Sequence, residues 1–549
     1  MKPIFICLSL VLPAPAQTGF HPLFNGKDLT GWSPVLENAA PGKDPQGLVT
    51  THDGVVHMYQ NVKAGELAPF GFVVSDASFS RYHLRFQYRW GGKKFAPRAG
   101  NIRDAGIIYH AYESTRVWPR GIENQVQEGD TGDLIWCDSS GMTWMRPNGQ
   151  AAPESQGLPG LLPENGGLLR EMGLKYEYIG RFPESDNYQG WTNVDIIVQA
   201  DEWAIHKVNG IVHTRLRDLK KQDGTPLAEG RVTLQLEGAE IQYRNVELME
   251  LPKPLQASLH QVTLAARHGK TAGGSVTLTN PGVAPLDATP RVIGKDSDFF
   301  TVEPAAATLA PGASAEFRVR FAPAGFGGRY CAAIRFGDED SGALVPVNAL
   351  GHGDGTEPTL QEIIDTLSVP AIAGTGRWQE DKSPRLGESI HARSFISAKD
   401  GNAFITPVAA FPDDDAEIPA LSLFTEVDPA LKPVGVAAPA IGLNPALVAK
   451  AQSGTLATAD FHEFATPDSA FGLCLGANSS TDSERPSNLK LRYKARVFKA
   501  TRVLESKVSD AYLICFETGG LCDYNDAIFL LGNVSPWKIP EPPPQDDKR

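Results

Sequence analysis

The 549-residue chain is poor in the features that would place it in several common classes. Past residue 16, no apolar run approaches the ~20 residues that a membrane helix needs. Positive charge is in deficit: 51 Lys and Arg against 64 Asp and Glu give a formal charge of −13, which argues against a nucleic-acid backbone as partner. Cysteine is scarce, with six in all, and neither a CxxC pair nor a His-rich spacing suggests structural zinc. Strong internal repeats and long low-complexity tracts are also missing. What the chain does have is a 42% hydrophobic fraction, enough for real cores, and 54 Gly with 42 Pro, which favour turn-rich β architecture over long helices.

The first residues, MKPIFICLSLVLPAPAQ, combine Lys2, an apolar run from Ile4 to Leu12 and the small-residue site Ala14-Pro15-Ala16. This pattern predicts a secretory signal over 1–16, and hence an exported chain, periplasmic, cell-surface or extracellular. Cleavage would leave Cys137, Cys331, Cys474, Cys515 and Cys522, an odd number, so at least one is free or paired between chains. A hairpin turning near Thr518-Gly519 would set Cys515 opposite Cys522, where a disulfide could form.

Three textures follow. Residues 18–252 are rich in Trp, Tyr, Arg and Glu and carry alternating segments such as YHLRFQYRW. Residues 253–353 turn to Ala, Gly and Val, with short strands between Pro/Gly turns, the signature of a sandwich of roughly 100 residues. Residues 354–538 open with one amphipathic helix, TLQEIIDTL, and return to strands. PEPPPQDDKR has no means of packing and predicts a disordered tail over 539–549. The expected class is all-β, with two successive sandwiches and then a mostly β C-terminal module.

The chemistry sits in polar rows. In RGIENQVQEGDTGDL, Glu123, Gln125 and Gln127 share one face at period two. In RVTLQLEGAEIQYRNVEL, Thr233, Gln235 and Glu237 do the same, opposite Val232, Leu234 and Leu236. DAGIIYHAY adds Gly106, Ile108 and His110. A solvated strand turns such a row to water. Three rows together with nearby Trp118, Trp136 and Trp144 suit a cleft whose amides and carboxylates bind sugar hydroxyls while indoles stack on sugar faces.

GFHPLFNGKDLTGW, YHLRFQYRWGGKKFAPR, RDAGIIYHA, VWPRGIENQVQEGDTGDL, HKVNGIVH and RVTLQLEGAEIQYRNVEL occur in this order over residues 19–251. Together they resemble the 3-keto-disaccharide hydrolase family, the former domain of unknown function 1080. The resemblance implies a concanavalin A-like jelly-roll sandwich that acts on or binds oxidised glycosides, with Glu123 in the cleft and His110, Gln125 and Glu237 near it. Gln87 stands where many members would carry Glu.

SVTLTNPGVAPL, residues 299–336 and VPVNALG resemble the abnormal-spindle/Hydin-type immunoglobulin-like domain, which implies a seven-strand spacer or adhesion module. The last region is similar to a C-terminal module of large exported proteins in planctomycete-type bacteria, which suggests cell-envelope attachment.

An ordinary retaining glycosidase needs two carboxylates ~5–5.5 Å apart. Sandwich glucanases take both from one strand, but here Gln125 follows Glu123 at that spacing. A 3-keto sugar relaxes the demand, because the ketone acidifies the C2 proton. One base then removes that proton, an acid assists the leaving group at C1, and water adds to the enone. The expected groups are Glu123 as base or acid, His110 or Glu237 as its partner, and Arg120, Arg103 or a bound cation on the enolate. Gln125, Gln235, Trp118 and Trp136 would bind sugar. The alternatives are a carbohydrate-binding protein without turnover and a cell-envelope scaffold. No cofactor is assigned beyond a divalent cation. In CDYNDAIF, Asp523, Asn525 and Asp526 supply hard oxygen donors within four residues, a set that would suit a divalent cation such as calcium.

Overall fold

A computed structural model describes residues 19–147, 158–173, 177–180, 190–373, 387–390, 392–411, 419–437, 462–476, 479–482, 485, 494–504, 506–519 and 523–537. The signal-like segment 1–16, Cys522 with the expected Cys515 pairing, and the tail 539–549 lie outside these residues. The fold is nearly all-β, and no helix among the described residues is long and apolar enough to cross a membrane. The chain forms two compact units: 1–143 with 155–158 and 171–253, and 144–154 with 159–170 and 254–549.

The first unit is a concanavalin A-like jelly-roll sandwich. One layer contains, in order, Ile211–Lys221, Trp203–Val208, Thr192–Gln199, Arg81–Lys94, Ala239–Glu250, Val55–Met58 and Val49–His52, with Ser139–Met145 paired on the outer side of Ile211–Lys221. Its long strand Arg81–Lys94 shows why it forms: Tyr82, Leu84, Phe86, Tyr88 and Trp90 are buried at period two, while His83, Arg85, Gln87 and Arg89 take the other face. Gln87 bonds there to Asn193, Arg244 and Asn245, away from the opposing layer.

That opposing layer consists of two shorter sheets. One contains Glu177–Gly180, Leu134–Cys137, Gly121–Gln127 and Asp104–Tyr109; the other contains Thr233–Leu236, Gly71–Ser75 and Trp32–Leu36. They are seamed by a side chain. Thr233 Oγ1 accepts from the Ile108 amide at 2.9 Å and donates to the Ile108 carbonyl at 3.1 Å, taking the place of a backbone ladder. The seam brings the two polar rows of the sequence onto neighbouring strands. Beneath them, buried tyrosine hydroxyls all find partners: Tyr243 donates to the Gln235 carbonyl at 3.0 Å, and Tyr109 meets His206 Nε2 at 3.0 Å.

The second unit begins with an immunoglobulin-like sandwich. Gln256–Ala257, Ala272–Thr279, Ser314–Phe321 and Phe300–Glu303 face Val262–Arg267, Ala343–His352, Gly328–Phe336 and Pro290–Ile293. This is four strands against four, not seven, the additional one being the two-residue Gln256–Ala257 edge. The expected helix appears as Leu360–Thr366, opened by a capping box in which Thr359 and Glu362 satisfy each other's backbone amides. Two further sheets follow, one through Ser394–Ser397 and Phe471–Leu475, the other through Ala403–Ala409, Ala527–Gly532, Ser506–Phe516 and Ala495–Val503. One apolar core takes in Ile363, Ile364 and Leu367 of the helix region together with Leu513, Ile528 and Leu530. It also includes Ala265 and Leu350 of the immunoglobulin-like sandwich.

Candidate active site

Antiparallel register fixes the floor of a cleft in the first unit. Glu123 pairs with Ile108, Gln125 with Gly106 and Gln127 with Asp104. All of these but Gly106 line a cavity of ≈ 670 Å³, together with Arg98, Glu237, Ile135, Cys137 and a rim of Arg116, Val117, Trp118, Pro119 and Asp138. The polar row of the Glu123 strand therefore faces a cleft, not bulk water.

Glu123 is fixed by two neighbours. Gln235 Nε2 donates to its Oε1 at 2.8 Å, and the Cys137 thiol lies 3.5 Å from its Oε2. Gly106 is the reason the amide can reach across: a Cβ built there would lie 1.9 Å from Glu123 Oε1 and 2.9 Å from Gln235 Nε2. Any side chain at 106 would occupy the path of that hydrogen bond. Burial pushes the Glu123 carboxyl up to about 8, and the nearby Asp104 charge adds to the rise. Burial also drives the Cys137 thiol well above its usual range, so it stays a neutral donor.

Glu237 and Asp104 share one cation. The Arg98 guanidinium bonds to both carboxylates, one through each terminal nitrogen. Burial, then repulsion from Asp104, pushes Glu237 up to about 9. Asp104 also rises with burial but is held back by Arg98 and by a bond from Gln127. With a single guanidinium shared by Asp104 and Glu237, burial and mutual repulsion leave Glu123 and Glu237 mostly protonated at neutral pH. The cleft thus holds two carboxylic acids whose protons come off only in alkaline solution.

Several acceptors here are unpaired. Gln125 Oε1, in the cleft lining, and Gln235 Oε1, outside it, are buried and accept no hydrogen bond from the described residues. Trp118, 41% exposed, stands at the rim with its ring 6.1 Å from that of Phe70. Amide acceptors beneath and an indole above fit a flat polyhydroxylated ligand.

Five of the residues expected at the cleft belong elsewhere. His110 is fully buried: Nδ1 meets the Tyr82 hydroxyl at 3.3 Å and Nε2 the Ala200 carbonyl at 3.1 Å. Its φ of 48° breaks the strand alternation after Tyr109 and turns the ring into the core, where burial lowers its pKa to about 4. Arg103 pairs with Glu128 at 2.9 Å, and Arg120 with Glu113 at 2.9 Å and Asp138 at 3.3 Å, so neither lines the cleft. Trp136 sits opposite Ile122 on the core side and is fully buried. Trp144 is buried in the strand Ser139–Met145. Arg98 and Asp104 take over the charged roles. Arg98 ends the motif KKFAPR, and Asp104 lies two positions before Gly106, in phase with the cleft row. In the second unit, Asp523 and Asp526 come together with Glu517, whereas the Asn525 amide donates to Glu357 and to the Pro358 carbonyl.

The fold and the site define the class as a jelly-roll sandwich with a cleft lined by carboxyl and amide groups. More particularly, residues 19–249 match the family model described as "3-keto-alpha-glucoside-1,2-lyase-like domain", and residues 254–335 match Cep192 domain 3. No curated protein matches the chain. Among solved structures, the carbohydrate-binding module CBM66 from Bacillus subtilis is similar at 12% identity, covering 41% of this chain and 98% of its own, with a TM-score of 0.24. LamAcat from Zobellia galactanivorans is similar at 10% identity, covering 41% and 92%, TM-score 0.24. The PapD-like domain 7 of human CEP192 is similar at 16% identity, covering 19% and 87%, TM-score 0.15.

Proposed function

We propose that the first unit cleaves the glycosidic bond of 3-keto-glycosides, with Glu123 as base and Glu237 as acid. The observation that supports this most directly is the Glu123 carboxyl, held over Gly106 by Gln235 on the cleft floor with its pKa raised to about 8. A carboxylate of that basicity is a far stronger proton acceptor than an ordinary one, and it suits a C2–H acidified by a neighbouring ketone. Glu123 takes the C2 proton. The electrons form C1=C2 as the C1–O bond breaks, and the leaving oxygen takes the Glu237 proton. Water then adds oxygen to C1 and a proton to C2, giving the free 3-keto sugar. Burial and repulsion from Asp104 keep Glu237 protonated until about pH 9, against the opposite pull of the Arg98 guanidinium bonded to both.

A second reading, sugar binding without turnover, draws support from the unpaired Gln125 and Gln235 acceptors. One experiment separates the two: release of 3-keto-glucose from a panel of 3-keto-glycosides, wild type beside Glu123→Gln. Turnover with a bell-shaped pH profile, rising towards about 8 and falling beyond about 9, supports the lyase-type reading. Glu123→Gln should then lose at least ~10²-fold in kcat. Sugar binding with no turnover by the wild type on any substrate would overturn it and leave a binding module. We further read the chain as exported, from its Lys2/Ile4–Leu12/Ala14–Ala16 pattern, with the second unit as spacer and envelope attachment.

A further inference from the structure

The strands Ser506–Phe516 and Ala527–Gly532 are antiparallel, with Phe516 paired to Ala527 as the last rung. One step beyond that rung, Glu517 and Asp526 are set against each other, both fully buried. The connecting loop returns Asp523 to the same place, so that one oxygen from each of the three carboxylates lies within 4.8 Å of the other two.

Two of the carboxylates are each anchored through one oxygen. Asp526 Oδ2 accepts from the amides of Thr518 and Gly519 and from the Thr518 hydroxyl. Glu517 Oε2 accepts from the amides of Asp523 at 2.9 Å and Tyr524 at 3.2 Å. The separate observation that points to a ligand is the other oxygen of Asp526. Oδ1 is buried and accepts no hydrogen bond from the described residues; the same holds for Oδ1 of the adjacent Asn525, whose Nδ2 is committed to Glu357 and the Pro358 carbonyl. A bare buried carboxylate oxygen beside two further carboxylates is costly unless a cation or a proton sits there.

We propose that Glu517, Asp523 and Asp526 bind a calcium ion at this sheet end. The donor set is all oxygen, as a hard cation requires. The donor atoms lie within 4.8 Å of one another, close enough to share one ion, and calcium's tolerant geometry suits carboxylates already anchored by other bonds. Calcium would join the Ser506–Phe516 and Ala527–Gly532 strand ends to the loop between them, in a place remote in sequence from the Glu123 cleft.

The test uses the full chain, stripped with chelator and titrated with Ca²⁺ by calorimetry, with Tb³⁺ luminescence excited through Tyr524 as a second readout. The expected result is one equivalent of Ca²⁺, a raised Tm, and affinity at least tenfold weaker in Asp526→Asn and in Asp523→Asn but unchanged in Glu123→Gln. If Asp526→Asn fails to fold, the half-buried Asp523 position decides. No binding by folded wild type at millimolar Ca²⁺ would overturn the proposal. Binding retained in the Asp variants, or lost only in Glu123→Gln, would overturn it too, the latter placing the ion in the cleft.

Discussion

Gly106→Ala is the sharpest probe of the cleft. The strand conformation itself tolerates alanine, since Gly106 is not among the positive-φ glycines. The penalty comes from the new methyl, which meets Glu123 Oε1 at 1.9 Å, closer than any real contact. Either the carboxyl swings away or the strand moves. If it swings, the 2.8 Å bond from Gln235 is lost and two buried polar groups lose their partner, at about 1–3 kcal/mol. If the strand moves, overpacking costs a similar ~1–3 kcal/mol. For a domain of this size that is a fall in Tm of roughly 2–10 °C. Gly92→Ala is the control: its Cβ would meet nothing within 4 Å, so it should leave Tm unchanged. Thermal unfolding of both variants, beside turnover on a 3-keto-glycoside, makes the comparison. A Gly106→Ala protein with wild-type Tm and wild-type pH profile would refute the idea that the Gln235–Glu123 bond crosses over residue 106.

Two further outcomes follow from the titrations. Glu123 binds its proton more tightly folded (about 8) than unfolded (near 4.5), so its contribution to stability is complete below about pH 4.5 and is lost as pH rises through 8. Denaturant midpoints should therefore fall over that window in the wild type and fall less in Glu123→Gln; equal slopes would count against the raised carboxyl. For His110 the sign is opposite. Its folded pKa of about 4 lies below the usual 6.5, so stability drops as pH falls from 6.5 towards 4. His110→Phe should flatten that acid limb and, by leaving Tyr82 without its partner, cost about 1–3 kcal/mol, while the alkaline limbs of the rate profile stay put. A shifted rate profile would return His110 to the chemistry.

The residues that sequence reasoning placed well share a phase. Glu123, Gln125 and Gln127 are in register with Asp104 and Gly106 across the ladder, and period-two alternation carries that information in the chain itself. The misplaced residues are out of phase with these rows. Arg103 is one step from Asp104, Arg120 one step from Gly121, and Trp136 lies between Ile135 and Cys137, which line the cleft. Proximity in sequence to Glu123 stood in for orientation, and alternation would have excluded all three. His110 was in phase and still failed, because a single left-handed residue ended the alternation. Arg98 could not be read at all: its role depends on Asp104 and Glu237 arriving from two other strands, which no local pattern records. Glu517 was passed over for the same reason, as its place beside Asp526 is a property of strand pairing.

The apolar core that takes in Ala265 and Leu350 alongside the helix Leu360–Thr366 has a consequence for how this chain can be cut and recombined. Composition suggests a seam near residue 353, where an engineer would sever the spacer from the terminal module. Packing puts no seam there. Each piece would leave with half of an interior, Ile363 and Ile364 having lost their lid on one side and Leu350 its floor on the other. The two stretches gain and lose structure together, as one cooperative folding block.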